Sequence, residues 1–393
     1  MEGDYMLNND NSYLDTEIKK RAFEKEIPDV RDGLTPTQRK VLAKVQNATK
    51  NGKRKRTATI IEDFEGGHLF NDMLPRSAFG ISAKIYDTIL NMVQEWKTPT
   101  LLQGTGNFGR SGSCYGDFAD PHYNEVKLSD FANALFNVEK QDLDEESTVF
   151  FSCLPNVLIS GTEGTMCNIP PHNLGEVIDA VIALIRNPDI SEDELLSYIK
   201  GPDFLGGGTI VNKDDLAQMY KTGVGNVVIR GKVDIEKDET GRPHIIINEL
   251  PFTLMSKFKC VGPHYDINDI KSIVLDDFPL FYDAIKIENR SSKDAVCIDI
   301  ALRKRGNVQE AIDALLLHSK IEEVYEYRSI LLSDGKPKLM SLYEILNEWL
   351  KFYRQELAEI NEASSLTDNQ ICENLLDIKN RFATPRKTEI INA

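Results

Sequence analysis

Apolar residues change their spacing along this chain, and that change limits what it can fold into. Ile85, Ile89, Met92, Val93 and Trp96 recur at helical intervals, which predicts a helix over Ser82 to Trp96. From Gly206 the pattern turns β-rich: Gly206-Gly207-Gly208 leads into Thr209 to Val211, and Asn226 to Gly231, His244 to Ile247 and Val296 to Ile300 read as strands. Helical spacing returns in Leu342, Ile345, Leu346, Trp349, Leu350 and Tyr353, predicting one long helix over Ser341 to Ile360 and another over Leu366 to Lys379. Further helices are expected over Asp15 to Lys25, Arg39 to Ala48 with Pro36 in the first turn, Asn124 to Phe136, about 175 to 200, and Val308 to Leu317. The mixture reads as α+β. With 393 residues, two or three domains are expected.

Composition narrows the class. No run approaches the roughly 20 apolar residues that span a bilayer. Met1-Glu2-Gly3-Asp4-Tyr5 is too acidic for a secretory signal, so a soluble, cytoplasmic protein is expected. The 6 cysteines are scattered without a Cys-x-x-Cys pair, against structural zinc and a disulfide framework. The net charge of −16 opposes nucleic-acid binding in sum but not in distribution. Between Arg39 and Arg56 stand Arg39, Lys40, Lys44, Lys50, Lys53, Arg54, Lys55 and Arg56, with no acid among them. Such a run is a solvated loop, a localisation signal or a phosphate-binding face.

Gly104-Thr105-Gly106-Asn107-Phe108-Gly109 has the form Gly-x-Gly-x-x-Gly, but it leads into Arg110-Ser111-Gly112-Ser113 rather than a helix. That argues for a tight loop that lets backbone approach another surface, not a dinucleotide site. Gly225 to Gly231 lacks P-loop spacing, and Lys232 is followed by Val233, so no ATP site is expected here. About a dozen residues after the glycine loop comes Pro121-His122-Tyr123-Asn124-Glu125. A tyrosine so placed is a candidate nucleophile whose phenoxide attacks a phosphodiester. Most of the 13 tyrosines are packing residues, and Tyr115 is the nearest rival.

Three segments set Tyr123 in a wider pattern. They are Ile27-Pro28-Asp29-Val30-Arg31-Asp32-Gly33-Leu34 continuing to Leu42; the glycine loop followed by Tyr123; and Leu154-Pro155-Asn156-Val157-Leu158 with Gly161-Thr162-Glu163-Gly164 and Asn168-Ile169-Pro170-Pro171-His172-Asn173-Leu174. Gly201-Pro202-Asp203-Phe204, Ile247 to Phe252 and Asp334 to Lys338 extend the series. In order and rough spacing the chain resembles the breakage-reunion subunit of type IIA DNA topoisomerases, the gyrase A and topoisomerase IV C family, over residues 27 to 355.

The resemblance implies an N-terminal arm (1–26), a winged-helix DNA-cleavage domain (27–155), a tower domain (156–338) and C-terminal helices (339–393). It implies a homodimer that cuts double-stranded DNA through a 5′-phosphotyrosyl link, with ATP and Mg²⁺ carried mainly by a B-type partner subunit. Tyr123, His122 and Arg31 become the expected catalytic residues. Arg39, Lys40, Lys44, Lys53, Arg54, Lys55, Arg56, Arg110 and Met166 become the expected DNA contacts, and Ser82 and Asp87 match the family's drug-contact helix.

The departures fall at the chemistry. His122 stands where the family has an arginine, and Arg76-Ser77-Ala78-Phe79-Gly80 stands where it has His-Pro-His-Gly. A histidine donates one hydrogen bond where an arginine offers a fork. Met166 is the nearest substitute for the family's apolar wedge. The long coiled-coil arms look excised, which suggests a short, phage-type member. Two candidate dimer contacts remain: Ile371, Leu375, Leu376 and Ile378 on the Leu366 to Lys379 helix, and the winged-helix face near the DNA. The alternative to a cleaving subunit is a cleavage-deficient paralogue that binds DNA or the partner.

Overall fold

The computed structural model describes residues 26–64, 76–109, 118–138, 143, 149–252, 284–290, 296–360 and 366–392. The expected N-terminal arm and its helix therefore lie outside the described residues, as do Arg110 and Tyr115.

Helix α1 (Pro36–Thr49) starts where its sequence says it should. Thr35 and Gln38 form a reciprocal capping box, and Pro36 occupies the first turn, where no amide partner is needed. Its Val41, Leu42 and Val45 are fully buried, each side chain stabilising the fold by about 1.5–3 kcal/mol. After β1 (Lys55–Arg56) come α2 (Thr57–Phe64) and α3 (Arg76–Val93). Strand β2 (Leu102–Thr105) and β3 (Glu125–Leu128) complete a three-stranded antiparallel sheet in the order β1-β3-β2.

The expected helix over Asn124 to Phe136 is corrected here. Val126 and Leu128 are buried on alternate positions of β3, and only then does Ser129 cap α4 (Asp130–Leu135) by accepting the Ala132 amide. Helix α3 likewise begins six residues before the expected Ser82 and ends before Trp96.

Downstream run α5 (Asn156–Ser160), α6 (Leu174–Arg186), α7 (Glu192–Tyr198), β4 (Thr209–Ile210), α8 (Lys213–Thr222) and β5 (Val224–Arg230). Strands β6 (Val233–Lys237), β7 (Pro243–Ile247), β8 (Ala284–Asn289) and β9 (Ile298–Leu302) form an antiparallel sheet in the order β6-β7-β9-β8. Then come α9 (Val308–His318), β10 (Glu322–Arg328), the hairpin β11 (Ile330–Ser333) and β12 (Lys336–Leu339), α10 (Leu342–Ile360), α11 (Asp368–Phe382) and β13 (Glu389–Ile390). The fold is α+β, with several separate sheets.

The cores do not divide at residue 155. One apolar cluster runs from Val30 through Trp349 to Ile378, joining the expected cleavage and tower domains. A smaller second core holds Ile245, Ile247, Ile298, Ile300 and Leu302 against Leu315 of α9. The C-terminal segment is also built into the body. Strand β13 pairs in parallel with β4, extending the sheet β10-β5-β4-β13. Ile371, Leu375 and Ile378 are buried in the chain's own core, which removes three of the four dimer positions expected on this helix; only Leu376 is exposed. Seven residues connect α10 to α11, so no coiled-coil arm intervenes.

Candidate active site

The Tyr123 turn is held from beneath and left open above. Pro121–Tyr123 forms one 3₁₀ turn, capped by Asp120, whose carboxylate accepts the His122 amide at 3.0 Å. The Asp120 carbonyl accepts the Tyr123 amide at 2.9 Å. Asn124, fully buried, locks the next position. Its Nδ2 donates to the Tyr86 hydroxyl (2.8 Å) and the Asn107 carbonyl (2.9 Å), and its Oδ1 accepts the Asn107 amide (2.9 Å). Tyr86 in turn donates to the Ala119 carbonyl at 2.5 Å.

The glycine loop meets the turn at Gly106. Its φ is +119°, and a Cβ there would lie 2.2 Å from Asn124 Oδ1 and 2.9 Å from the Tyr123 carbonyl. Only glycine fits. The loop expected from sequence is therefore the clamp on the tyrosine turn.

Above this scaffold Tyr123 is 78% exposed. Nearly four-fifths exposure is unusual for a large aromatic side chain held on so rigid a backbone. The neighbouring Tyr86 contrasts with it: burial pushes its hydroxyl up to about 12, unsuited to attack at neutral pH.

The basic run lies beside the turn. β1 pairs with β3 in the register Lys55 to Val126 and Arg56 to Glu125, two residues beyond Tyr123. The Thr57 amide donates to the Asn124 carbonyl at 2.8 Å, fastening the end of the basic strand to the turn. Lys53, Arg54, Lys55 and Arg56 are all exposed. Arg54 reaches across to Gln103 of β2 at 3.2 Å. Sequence brought these residues into one hypothesis; the sheet brings them into one place.

His122 is paired. Its Nδ1 lies 2.6 Å from Asp120 Oδ1. The His122 amide, and then its ring, hold the Asp120 carboxyl below its ordinary value, with burial opposing. The chain thus offers a carboxylate–imidazole pair directly before Tyr123.

Other expected site residues fall elsewhere. Arg39 is buried and forks Asp32 (Nε to Oδ2 2.5 Å, Nη2 to Oδ1 2.9 Å), with a further bond from Nη2 to the Leu34 carbonyl. It is a structural cation, and the expectation of a DNA contact is withdrawn. Arg31 forks Asp29 at 2.8 Å and lies over the Phe352 ring, 5.6 Å from its centroid. Those contacts tie it to α10 rather than to the tyrosine turn. Lys40 is exposed on α1, and Lys44 stacks on Phe64 at 5.1 Å. Ser82 and Asp87 are half-buried on α3. Met166 is half-buried in the loop closed by the Thr162–Ile169 bridge. A cavity of about 370 Å³ lies between α3 and residues 160–165, lined by Lys84, Asn91, Lys97 and Glu163 among others; the tyrosine turn is not part of its wall. An exposed candidate side chain outside that cavity suits a polymer better than a small substrate.

Sequence reasoning missed Asn124, Tyr86 and Gln103. Each reaches the site through a partner 17 to 49 residues away, so no local pattern could mark it. Of the described carboxylates flanking Tyr123, Asp120 is engaged by His122, and Glu125 stands opposite Arg56. Among the described residues no group of three or more His, Cys, Asp or Glu is placed to hold a metal ion. Among them, too, no helix is long and apolar enough to cross a membrane.

The arrangement defines an α+β protein that presents a tyrosine beside a cationic strand. Residues 25–387 match the family model of the A-type subunit of DNA gyrase/topoisomerase IV, and the chain belongs to that family. It is 30% identical over 357 residues to the A-type subunit of DNA topoisomerase 4 from Streptococcus pyogenes serotype M3 (strain SSI-1), covering 86% of this chain and 41% of that protein. It is 32% identical over 356 residues to the A-type subunit of DNA gyrase from Leptospira biflexa serovar Patoc, covering 86% and 40%. Against the A-type subunit of DNA topoisomerase 4 from Streptococcus pneumoniae serotype 4, identity is 30% over 373 residues, covering 90% and 42%. The chain thus spans about two-fifths of the length of the curated relatives it matches.

Proposed function

We propose that this chain is the DNA-breaking and rejoining subunit of a type IIA topoisomerase, with Tyr123 as the nucleophile. The observation that carries this reading is the open Tyr123 side chain on a locked turn, beside the exposed Lys53–Arg56 run. Cations there neutralise phosphates and hold the duplex over the tyrosine. The Tyr123 phenol gives its proton to solvent and its oxygen bonds to phosphorus. The bond from phosphorus to O3′ breaks, and O3′ takes a proton back. The 5′ side of the break remains as a phosphotyrosyl ester. That ester keeps the bond energy, so attack by O3′ rejoins the strand and frees the phenol.

Two copies acting on one duplex cut both strands. A B-type partner subunit supplies ATP hydrolysis and the Mg²⁺ that stabilises the leaving oxygen.

The test mixes the full chain, a B-type subunit, Mg²⁺ and supercoiled plasmid, then adds detergent and protease. Nicked or linear DNA carrying protein is expected, and Tyr123→Phe should bind duplex but yield none. Intact plasmid from a wild-type chain that still binds duplex would instead make it a cleavage-deficient DNA-binding paralogue.

A further inference from the structure

We propose that Asn124 is a positioning residue for strand cleavage, its buried carboxamide fixing where the Tyr123 phenol stands relative to the cationic strand; this rests on the reading of Tyr123 as nucleophile. Helix α3, the glycine loop, the 3₁₀ turn and the basic strand all meet on this residue. Its side chain reaches α3 through the Tyr86 hydroxyl at 2.8 Å, and the glycine loop through the Asn107 carbonyl and amide, each at 2.9 Å. Its backbone amide donates to the Pro121 carbonyl at 3.4 Å, and its backbone carbonyl accepts the Thr57 amide, directly after Arg56, at 2.8 Å. The nucleophile and the cations that hold its phosphate are therefore tied to one residue.

The carboxamide is spent on this lock. Nδ2 donates and Oδ1 accepts within the fold, and the residue is fully buried, so it meets no substrate itself. Whatever it does for the reaction passes through Tyr123, an exposed side chain whose aim is set by its backbone. That backbone is pinned on both sides. The Tyr86 hydroxyl accepts from Asn124 after the tyrosine and donates to the Ala119 carbonyl before it, at 2.5 Å. The Asn107 carbonyl does the same in reverse, accepting the Ala119 amide at 2.9 Å as well as Asn124 Nδ2. Burial pushes the Tyr86 hydroxyl up to about 12, so it remains a donor at any pH at which cleavage is run. A reacting group held this firmly starts near its attack geometry rather than searching for it.

Asn124 is also part of the fold, so positioning must be separated from stability. Tyr86→Phe does this gently: the ring stays packed and only the hydroxyl is lost. The experiment follows single-turnover formation of covalent complex at saturating plasmid, with the B-type subunit and Mg²⁺, in full-length wild type, Tyr86→Phe, Asn124→Ala and the double variant. Asn124→Ala should lower the rate constant on the order of 10²-fold, the cost of misplacing a reacting group by about 1 Å. Tyr86→Phe should lower it about tenfold, the loss of one hydrogen bond of the lock. In the Asn124→Ala background Tyr86→Phe should cost less than about twofold more, because both act through one lock. Half-saturating duplex concentrations should stay within about twofold of wild type, since the loss falls on the transition state alone. Rejoining should slow by the same factor as cleavage, leaving the equilibrium yield of covalent complex unchanged, because the same aim serves both directions.

A lower yield reached at the wild-type rate constant would show that the variants merely unfold in part, and would overturn the proposal. So would an unchanged rate in Tyr86→Phe, or an equal loss from Tyr86→Phe in both backgrounds. Covalent complex surviving in Tyr123→Phe would overturn the nucleophile assignment, and this proposal with it; an additive cycle alone leaves Tyr123 standing.

Discussion

Pro121-His122-Tyr123-Asn124-Glu125 and Asn168-Ile169-Pro170-Pro171-His172-Asn173-Leu174 are equally dense motifs, each with a histidine near its centre, yet they are built for opposite ends. In the first, Tyr123 is 78% exposed and His122 faces solvent. In the second, His172 is 2% exposed, and Ile169, Pro170 and Pro171 are buried with it. His172 Nδ1 donates to the Leu158 carbonyl at 2.9 Å, and Nε2 accepts from the Tyr220 hydroxyl at 2.8 Å. Asn173 caps α6 and donates to Asp203 and to the Thr384 carbonyl, tying three distant segments together. The motif that opens at Ile27 behaves the same way: Asp32, fully buried, accepts from Arg39, the Leu34 amide and the Phe150 amide. Two motifs are joints of the scaffold, and one is a surface. Motif density does not tell them apart. Burial does, because a polar side chain satisfied inside the fold has nothing left to offer a substrate.

The largest effect that would test this contrast is on the surface motif. Tyr123→Phe should reduce covalent DNA attachment on the order of 10³-fold or more, as removal of a nucleophile does. Thermal stability should stay within about 0.5 kcal/mol, since the hydroxyl contacts solvent. A large drop in melting temperature would place Tyr123 with the joints instead.

Arg39→Ala should do the reverse. It leaves Asp32 buried and unpaired, a loss of about 3–5 kcal/mol in denaturant unfolding. The salt slope of duplex binding by the folded fraction should not change; a flatter slope would restore Arg39 to the DNA-binding set. Replacing Lys53, Arg54, Lys55 and Arg56 together with glutamine should leave stability nearly intact. It should flatten the salt slope by up to about 0.9 for each phosphate no longer neutralised. An unaltered slope would make the run a solvated strand.

The smallest effect concerns His172. Burial pulls its imidazole down from 6.5 to about 4. The unfolded chain takes up a proton as pH falls through 6.5, while the folded chain resists until about 4. Stability is therefore full above pH 6.5 and declines between those values, by roughly 2 kcal/mol at pH 5. Melting curves at pH 7 and 5 check this. His172→Gln should be less stable at pH 7 but lose less between the two pH values; an equal loss would assign the acid sensitivity to other groups.

What the sequence disclosed follows the range of the forces involved. Helix α1 was legible because its start is set within four residues, by Thr35, Pro36 and Gln38. The stretch after Tyr123 was misread because Val126 and Leu128 become a strand only by pairing with β1 and β2, which lie far along the chain. The helical spacing of Ile371, Leu375 and Ile378 was visible, but not that they turn toward the chain's own core rather than a second copy. At the site, glycines and proline marked the turn, and the basic run was plain. The Asn124–Tyr86 lock and the buried Arg39–Asp32 pair were not, since charge and polarity look alike in sequence whether buried or solvated.

The claim that Tyr123 is the surface built for chemistry has one direct measurement. Covalent complexes formed with the full chain, B-type subunit, Mg²⁺ and plasmid are digested with nuclease and trypsin, and the nucleotide-bearing peptide is sequenced by mass spectrometry. The nucleotide should be found on Tyr123 through a 5′ phosphate. A nucleotide on Tyr115, or on any other residue, would contradict the account.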